Sequence, residues 1–195
     1  MIKYLCSCLF LSLLVSFTPA LGDANVLKNP GFENGIEDWT DRSCKIEVVT
    51  TPVHSGAKSV RVFGRTELWQ GIKQSLLGKV TNGQTYKISA WVRLENSDSD
   101  TVTISIEQAD DNGTKYKNVA RVTASKTEWV ELSGDFKLDA NGTLKTLDVY
   151  IEGPPQDVNF FVDDVVVFGP EATKVQQADP NAAKTEPNAP GKAAK

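Results

Sequence analysis

The chain has 195 residues, a formal net charge of −4, 40% hydrophobic residues, one histidine and three cysteines. Its lysines and arginines are scattered rather than striped, which excludes a phosphate-tracking, nucleic-acid-binding surface. Beyond the N-terminus no segment approaches transmembrane length, so no membrane partner is expected.

Residues 1–22 read as a signal peptide, with Lys3 as the positive start, an apolar run from Leu5 to Phe17, and small residues around Ala20-Leu21-Gly22. Cys6 and Cys8 lie inside this run and form no lipobox. Export is therefore expected, with cleavage after Gly22. The mature chain would lose only Lys3 among its charges, moving the balance from −4 to −5. It would keep a single cysteine, Cys44, and so no internal disulfide. About 173 residues remain, enough for one domain with its own core.

From Asn25 onward the pattern is turns and strands. Asn29-Pro30-Gly31-Phe32-Glu33 reads as a turn, Ile36 to Trp39 follows, and a polar break runs through Asp41 and Arg42. Strands are predicted at 45–50, 59–63, 68–76, 86–94, 102–107, 116–124, 129–136, 147–152 and 158–168. Period-two alternation is clean at Tyr86, Ile88, Ala90 and Val92, and again at Val102, Ile104 and Ile106 with Thr103, Ser105 and Glu107 opposite. Asp110-Asp111-Asn112-Gly113, Asn82-Gly83, Asn141-Gly142 and Gly153-Pro154-Pro155 punctuate them. About ten alternating strands with almost no helical periodicity predict an all-β, two-sheet antiparallel β-sandwich, with jelly roll preferred over an immunoglobulin-like order. The folded domain is assigned to residues 23–169. Residues 170–195, rich in Ala, Pro and Lys and free of aromatics, read as a disordered tail.

Catalysis finds little support. His54 lies in the loop Thr51-Pro52-Val53-His54-Ser55-Gly56 and reads as a surface histidine; no second histidine completes a zinc set, and no Gly-x-Ser-x-Gly elbow occurs. Two carboxylates would suffice for sugar cleavage. Of Glu131, Glu152, Asp163 and Asp164, none lies in a Glu-x-Asp-x-x-Glu strand, and adjacent Asp163 and Asp164 should point to opposite faces.

Binding is better supplied. In Gly64-Arg65-Thr66-Glu67-Leu68-Trp69-Gln70-Gly71 an extended strand would place Glu67, Trp69, Gly71 and Lys73 on one side. An indole with polar side chains around it offers a plane for a sugar's C–H face and partners for its hydroxyls, and the glycine would leave room. A buried core tryptophan is the competing reading. Tyr150 and Glu152 share a strand face by spacing, with a core tyrosine and a cross-strand charge as their alternative. Dissociation constants from ~1 μM to ~1 mM would suit such a site.

Together with Trp39, Val53-His54-Ser55-Gly56-Ala57-Lys58-Ser59-Val60, Tyr150-Ile151-Glu152-Gly153 and Phe161-Val162-Asp163-Asp164-Val165, the 29–33 and 64–71 strings resemble a carbohydrate-binding module of the family 4, 9 and 22 group. The Gly-Arg-Thr-x-x-Trp-x-Gly string most resembles family 22, and the likeness covers Asn25 to Phe168. It implies a jelly roll binding xylan or a related β-glucan in a cleft on its concave sheet. Trp69 would be the stacking platform, Arg42 a hydroxyl donor, Tyr150 and Glu152 the facing wall, and Tyr116 a further aromatic. It also implies a structural calcium ion held by Glu33, the Lys58 carbonyl and Asp164. Trp39, Trp91 and Trp129 are left to the core or sheet flanks, with Trp91 also able to line the cleft. The protein is thus expected to be a secreted, monomeric, non-catalytic polysaccharide binder. A small jelly-roll hydrolase or lyase, and an adhesion domain recognising another protein, are the alternatives.

Overall fold

The computed structural model describes residues 25–169. The signal-peptide and tail assignments lie outside that range. Ten strands form the described chain: β1 (Thr40–Arg42), β2 (Lys45–Val49), β3 (Ser59–Phe63), β4 (Gly71–Ser75), β5 (Thr85–Leu94), β6 (Asp100–Asp110), β7 (Gly113–Ala124), β8 (Val130–Lys137), β9 (Thr146–Glu152) and β10 (Phe160–Phe168). They make two five-stranded sheets, a front sheet in the order β1-β4-β9-β6-β7 and a back sheet in the order β2-β3-β10-β5-β8. Every pairing is antiparallel. The chain crosses repeatedly between the sheets, and the architecture is the expected jelly-roll β-sandwich.

Alternation decides which side chains enter the core. Ile72, Ile104, Val149 and Ile151 of the front sheet meet Val60, Ile88, Val92 and Val162 of the back sheet, all essentially without solvent exposure. The Tyr86–Val92 and Val102–Ile106 faces are buried as their spacing requires. Trp39 is in the core, its indole Nε1 donating to the Asn29 carbonyl at 3.0 Å. Cys44 is half-buried and turns its thiol to the Gly71 carbonyl.

Three local readings are corrected. The polar break at 41–42 is a short edge strand, β1, whose Arg42 pairs with Gly71; its lack of apolar alternation reflects an edge with little to bury. The 68–76 strand begins only at Gly71, because residues 66–69 form a turn closed by Gln70. The Gln70 side-chain oxygen accepts the backbone N–H groups of Thr66 and Glu67, and its own N–H donates to the Glu67 carbonyl at 3.3 Å. Finally, Asp163 and Asp164 do not point to opposite faces. A register shift between Asp163 and Val166 and a φ of 46° at Asp164 break the alternation there, so both carboxylates face the 54–55 loop.

Candidate carbohydrate-binding site

The front sheet's outer face is a grid of polar and aromatic side chains. In one row across it, Arg42, Gly71 and Glu152 are followed by Thr103 and Arg121. The next row runs through Lys73, Tyr150, Ser105 and Asn118, and a third through Ser75, Asp148, Glu107 and Tyr116. Period-two alternation places the β9 and β6 members. On β7 it would fail, because a bulge at Val119 separates the Ser105–Asn118 pair from the Ile104–Ala120 pair. That extra residue returns Arg121 to the face that Tyr116 and Asn118 already occupy.

Arg42 is the hub. Its guanidinium lies 4.1 Å from the Tyr150 ring centre, 5.0 Å from Trp69 and 5.7 Å from Tyr116. One terminal nitrogen donates to the Trp69 carbonyl and the other meets Glu107 at 3.3 Å. A planar cation among three aromatic rings gains from their quadrupoles while keeping N–H groups in the ring plane for hydrogen bonds. The neighbouring cation Lys73 is neutralised by Asp148 at 2.7 Å.

Trp69 is 45% exposed and Tyr116 is 61% exposed, so both present open apolar surface. Tyr150 is only 3% exposed, with a ring face beneath Arg42. Burial first, and then the Glu152 charge, push its phenol up to about 12, so it stays protonated. Glu152 accepts the Ser105 hydroxyl at 2.6 Å, and Ser105 also reaches Asn118 at 2.9 Å. Burial pushes the Glu152 carboxyl up, opposed by the Ser105 hydrogen bond and by the charges of Arg42, Arg121 and Arg65. Arg42, Trp69, Tyr116, Asn118, Tyr150 and Glu152 enclose an open depression of about 500 Å³. That volume is within the range of small-ligand sites. A second depression of about 480 Å³ adjoins it beyond Trp69, between Arg121 and the Gly153–Pro155 turn.

The five sugar-site residues named from sequence therefore converge. Two reasons given for the motif do not survive. Trp69 is placed by a turn and not by strand alternation with Gly71. Gly71 is needed by the sheet and not by a ligand, because a Cβ there would lie 1.8 Å from the Ile151 carbonyl oxygen. Arg65 is a clamp. It is 4% exposed, and it donates to the carbonyls of Gln70 (3.0 Å), Pro155 (3.2 Å), Val158 (2.9 Å) and Pro154. It thereby ties the Trp69 turn to the 154–158 loop. Burial lowers its pKa, opposed by the charges of Cys44 and Glu152.

Trp91 does not line this face, because β5 belongs to the back sheet. It stacks on His54 with ring centres 3.8 Å apart. His54 is accordingly no free surface residue; it is wedged between Trp91 and Asp164, with Nδ1 2.6 Å from the carboxylate. Ser105 and Asn118 were not singled out by the sequence; the only signal was Ser105's place opposite the apolar face of β6.

Of the residues expected to hold calcium, Glu33 lies against Lys58, and Asp164 lies against the 54–55 loop. Glu33 Oε1 accepts the N–H groups of Ala57 and Lys58 at 2.8 and 3.2 Å. The Asp164 carboxylate lies 3.4 Å from where a Cβ on Gly31 would sit, an ordinary packing contact. Asp163, fully buried beside it, takes backbone N–H groups from His54, Ser55 and Asp164. Among the described residues no three His, Cys, Asp or Glu side chains cluster as a metal set. The expected set, two carboxylates and a carbonyl, is of the oxygen-donor kind that a hard cation takes.

A two-sheet jelly roll with an aromatic and hydrogen-bonding outer face is the build of a non-catalytic carbohydrate-binding module. The chain belongs to the carbohydrate binding domain family, whose pattern matches residues 24–158, and it is similar to solved family 22 modules. It is 37% identical over 150 residues to Exoglucanase XynX of Acetivibrio thermocellus, covering 74% of this chain and 14% of that one. Identity is again 37% over 148 residues to Endo-1,4-beta-xylanase A of Thermoanaerobacterium saccharolyticum, covering 73% and 13%. The chain thus spans about one seventh of these relatives, and the match is to binding modules only. The CBM22-1 xylan-binding domain of Paenibacillus barcinonensis Xyn10C superposes with a TM-score of 0.69 at 27% identity, covering 77% of this chain and 97% of that domain.

Proposed function

We propose that this protein is a secreted polysaccharide binder that holds xylan, or a related β-glucan, across the front-sheet depression without cleaving it. The observation that carries this reading is the Arg42 hub, which holds Trp69 and Tyr116 as open planes beside the Glu152–Ser105–Asn118 hydrogen-bonding run. Sugar rings would stack on Trp69 and Tyr116, while Arg42 and Glu152 take hydroxyls as donor and acceptor. Tyr150, buried under Arg42, serves as that arginine's support. Secretion rests on the signal-peptide pattern of residues 1–22. Support of polysaccharide breakdown or attachment follows from the company kept by its relatives, which are named as xylanases and an exoglucanase.

Affinity electrophoresis in soluble xylan tests the reading. The protein should be retarded, and Trp69→Ala should lose at least ~10-fold in affinity, since one aromatic face contributes ~1.5–3 kcal/mol. A variant that keeps its circular dichroism and still binds normally would show the platform to be misplaced.

A calcium ion at Glu33, the Lys58 carbonyl and Asp164 belongs to the same proposal. When bound, it would neutralise two carboxylates and clip the first turn to β10. Chelation should lower the melting temperature by roughly 5–10 °C if the ion is well above its dissociation constant. An unchanged melting curve would remove the ion from the proposal.

A further inference from the structure

The front face carries three cations, Arg42, Lys73 and Arg121, and their surroundings differ. Arg42 is held by Glu107, and Lys73 by Asp148. Arg121 is exposed, and among the described residues no carboxylate lies within ion-pair distance of it. Its row neighbour Thr103 separates it from Glu152, two strand spacings or roughly 10 Å away. The bulge at Val119 is what brings this cation to the binding face at all; strict alternation with Tyr116 and Asn118 would turn it away.

Arg121 also lines the second depression, which is walled by Leu68, Trp69, Pro154 and Pro155 and adjoins the first through Trp69, Asn118 and Glu152. A chain lying across Trp69 would leave this space beside it. The charged members of the wall besides Arg121 are Asp100, whose carboxylate already accepts the Ser97 hydroxyl, and Glu152, whose carboxylate already accepts the Ser105 hydroxyl. A guanidinium with unspent N–H groups, at the mouth of a pocket with apolar walls, suits a planar carboxylate on a ring-shaped substituent.

We propose that the Arg121 depression is a branch subsite for a uronic-acid substituent, so that the chain prefers an acidic, uronosyl-decorated β-glycan over an undecorated one. This rests on the polysaccharide reading above and specifies its substrate. The main chain binds on Trp69, and the branch carboxylate meets Arg121 across the shared Asn118–Glu152 boundary. The overall negative charge of the protein opposes an acidic ligand at long range. Screening at physiological salt confines that opposition to about 8 Å, leaving the local cation to decide.

Calorimetric titration of the full chain with neutral xylohexaose and with a uronosyl-substituted xylooligosaccharide of equal backbone length tests this. The expected result is an acidic ligand bound about fivefold tighter, an advantage lost in Arg121→Gln and largely restored in Arg121→Lys, with neutral affinity unchanged in both. Raising salt to about 0.5 M should erase most of the preference. Equal wild-type affinity for both ligands, or an equal loss on both in Arg121→Gln, overturns the branch subsite and leaves xylan binding standing. Failure of the wild type to bind either ligand overturns both.

Discussion

The two outer faces of the sandwich each carry an arginine laid over an aromatic ring, yet the two are spent differently. On the front, Arg42 lies 4.1 Å from the Tyr150 ring centre and has one carboxylate contact, at 3.3 Å. On the back, Arg61 lies 4.5 Å from Phe63 and is gripped from both sides, by Glu95 at 2.7 and 3.0 Å and by Glu47 at 2.9 Å. The back arginine spends three of its five N–H donors on the carboxylates that flank it. The front one is held in place mainly by rings and a backbone carbonyl, which leaves its edge available to a ligand. On the proposed function, the front face is set apart by polar groups held in position with fewer carboxylate contacts, not by a richer supply of them.

Arg65, at the junction of the front sheet and its end wall, should give the largest effect. Its removal would take the donor from the carbonyls of Gln70, Pro154 and Val158, while the Pro155 carbonyl keeps the Val158 N–H, and would free two loops at once. Arg65→Ala is expected to cost about 3–5 kcal/mol of stability, read as a lowered denaturant midpoint, with the Trp69 emission shifted. Sugar affinity should fall with it, because Trp69 and the Gly153–Pro155 turn would lose their common anchor. A variant as stable as the wild type would mean that water replaces the guanidinium at little cost.

Arg42→Ala tests the front face itself. It uncovers Tyr150, leaves Glu107 without its cation and loosens the arrangement of Trp69 and Tyr116. Xylan affinity should fall by about 10–100-fold, or roughly 1.5–3 kcal/mol. Arg42→Lys should recover only part of that, since an ammonium keeps charge but not the planar stack. Calorimetry with xylohexaose separates the three proteins, and full recovery by lysine would show that charge alone matters.

How much of this could be read in advance depends on where alternation holds. Tyr150 and Glu152 sit two apart on an unbroken strand, and their shared face was visible in their spacing. So were the buried faces of β5 and β6, and the bounds of β3. Trp69 was picked out for its chemistry but placed for the wrong reason, because the Gln70 side chain closes a turn that no apolar pattern reveals. Arg121 was hidden by one bulge, and the common side of Asp163 and Asp164 by another. Trp91, left to the core or sheet flanks with the cleft as its alternative, shows a different limit. Alternation tells which way a side chain points from its sheet, but not which sheet the strand has joined, and pairing with β8 and β10 put it on the back.

The smallest effect should come from Arg61→Ala, and its smallness is what gives the comparison its force. Both carboxylates around Arg61 are partly open to solvent, with side chains 47% exposed for Glu47 and 29% for Glu95. Water can therefore replace the lost donors, and Glu95 keeps the Asn159 side-chain amide at 2.6 Å. The two carboxylates together raise the Arg61 pKa, Glu95 more than Glu47. Solvent screening reduces the contribution of such an exposed network to stability to about 1 kcal/mol or less. Arg61→Ala should thus shift the melting temperature by only a few degrees and leave xylohexaose affinity within twofold of the wild type. Were it to weaken the sugar as Arg42→Ala does, the two faces would not be divided between structure and binding. The contrast between an arginine held by two carboxylates and one held mainly by rings would then lose its functional meaning.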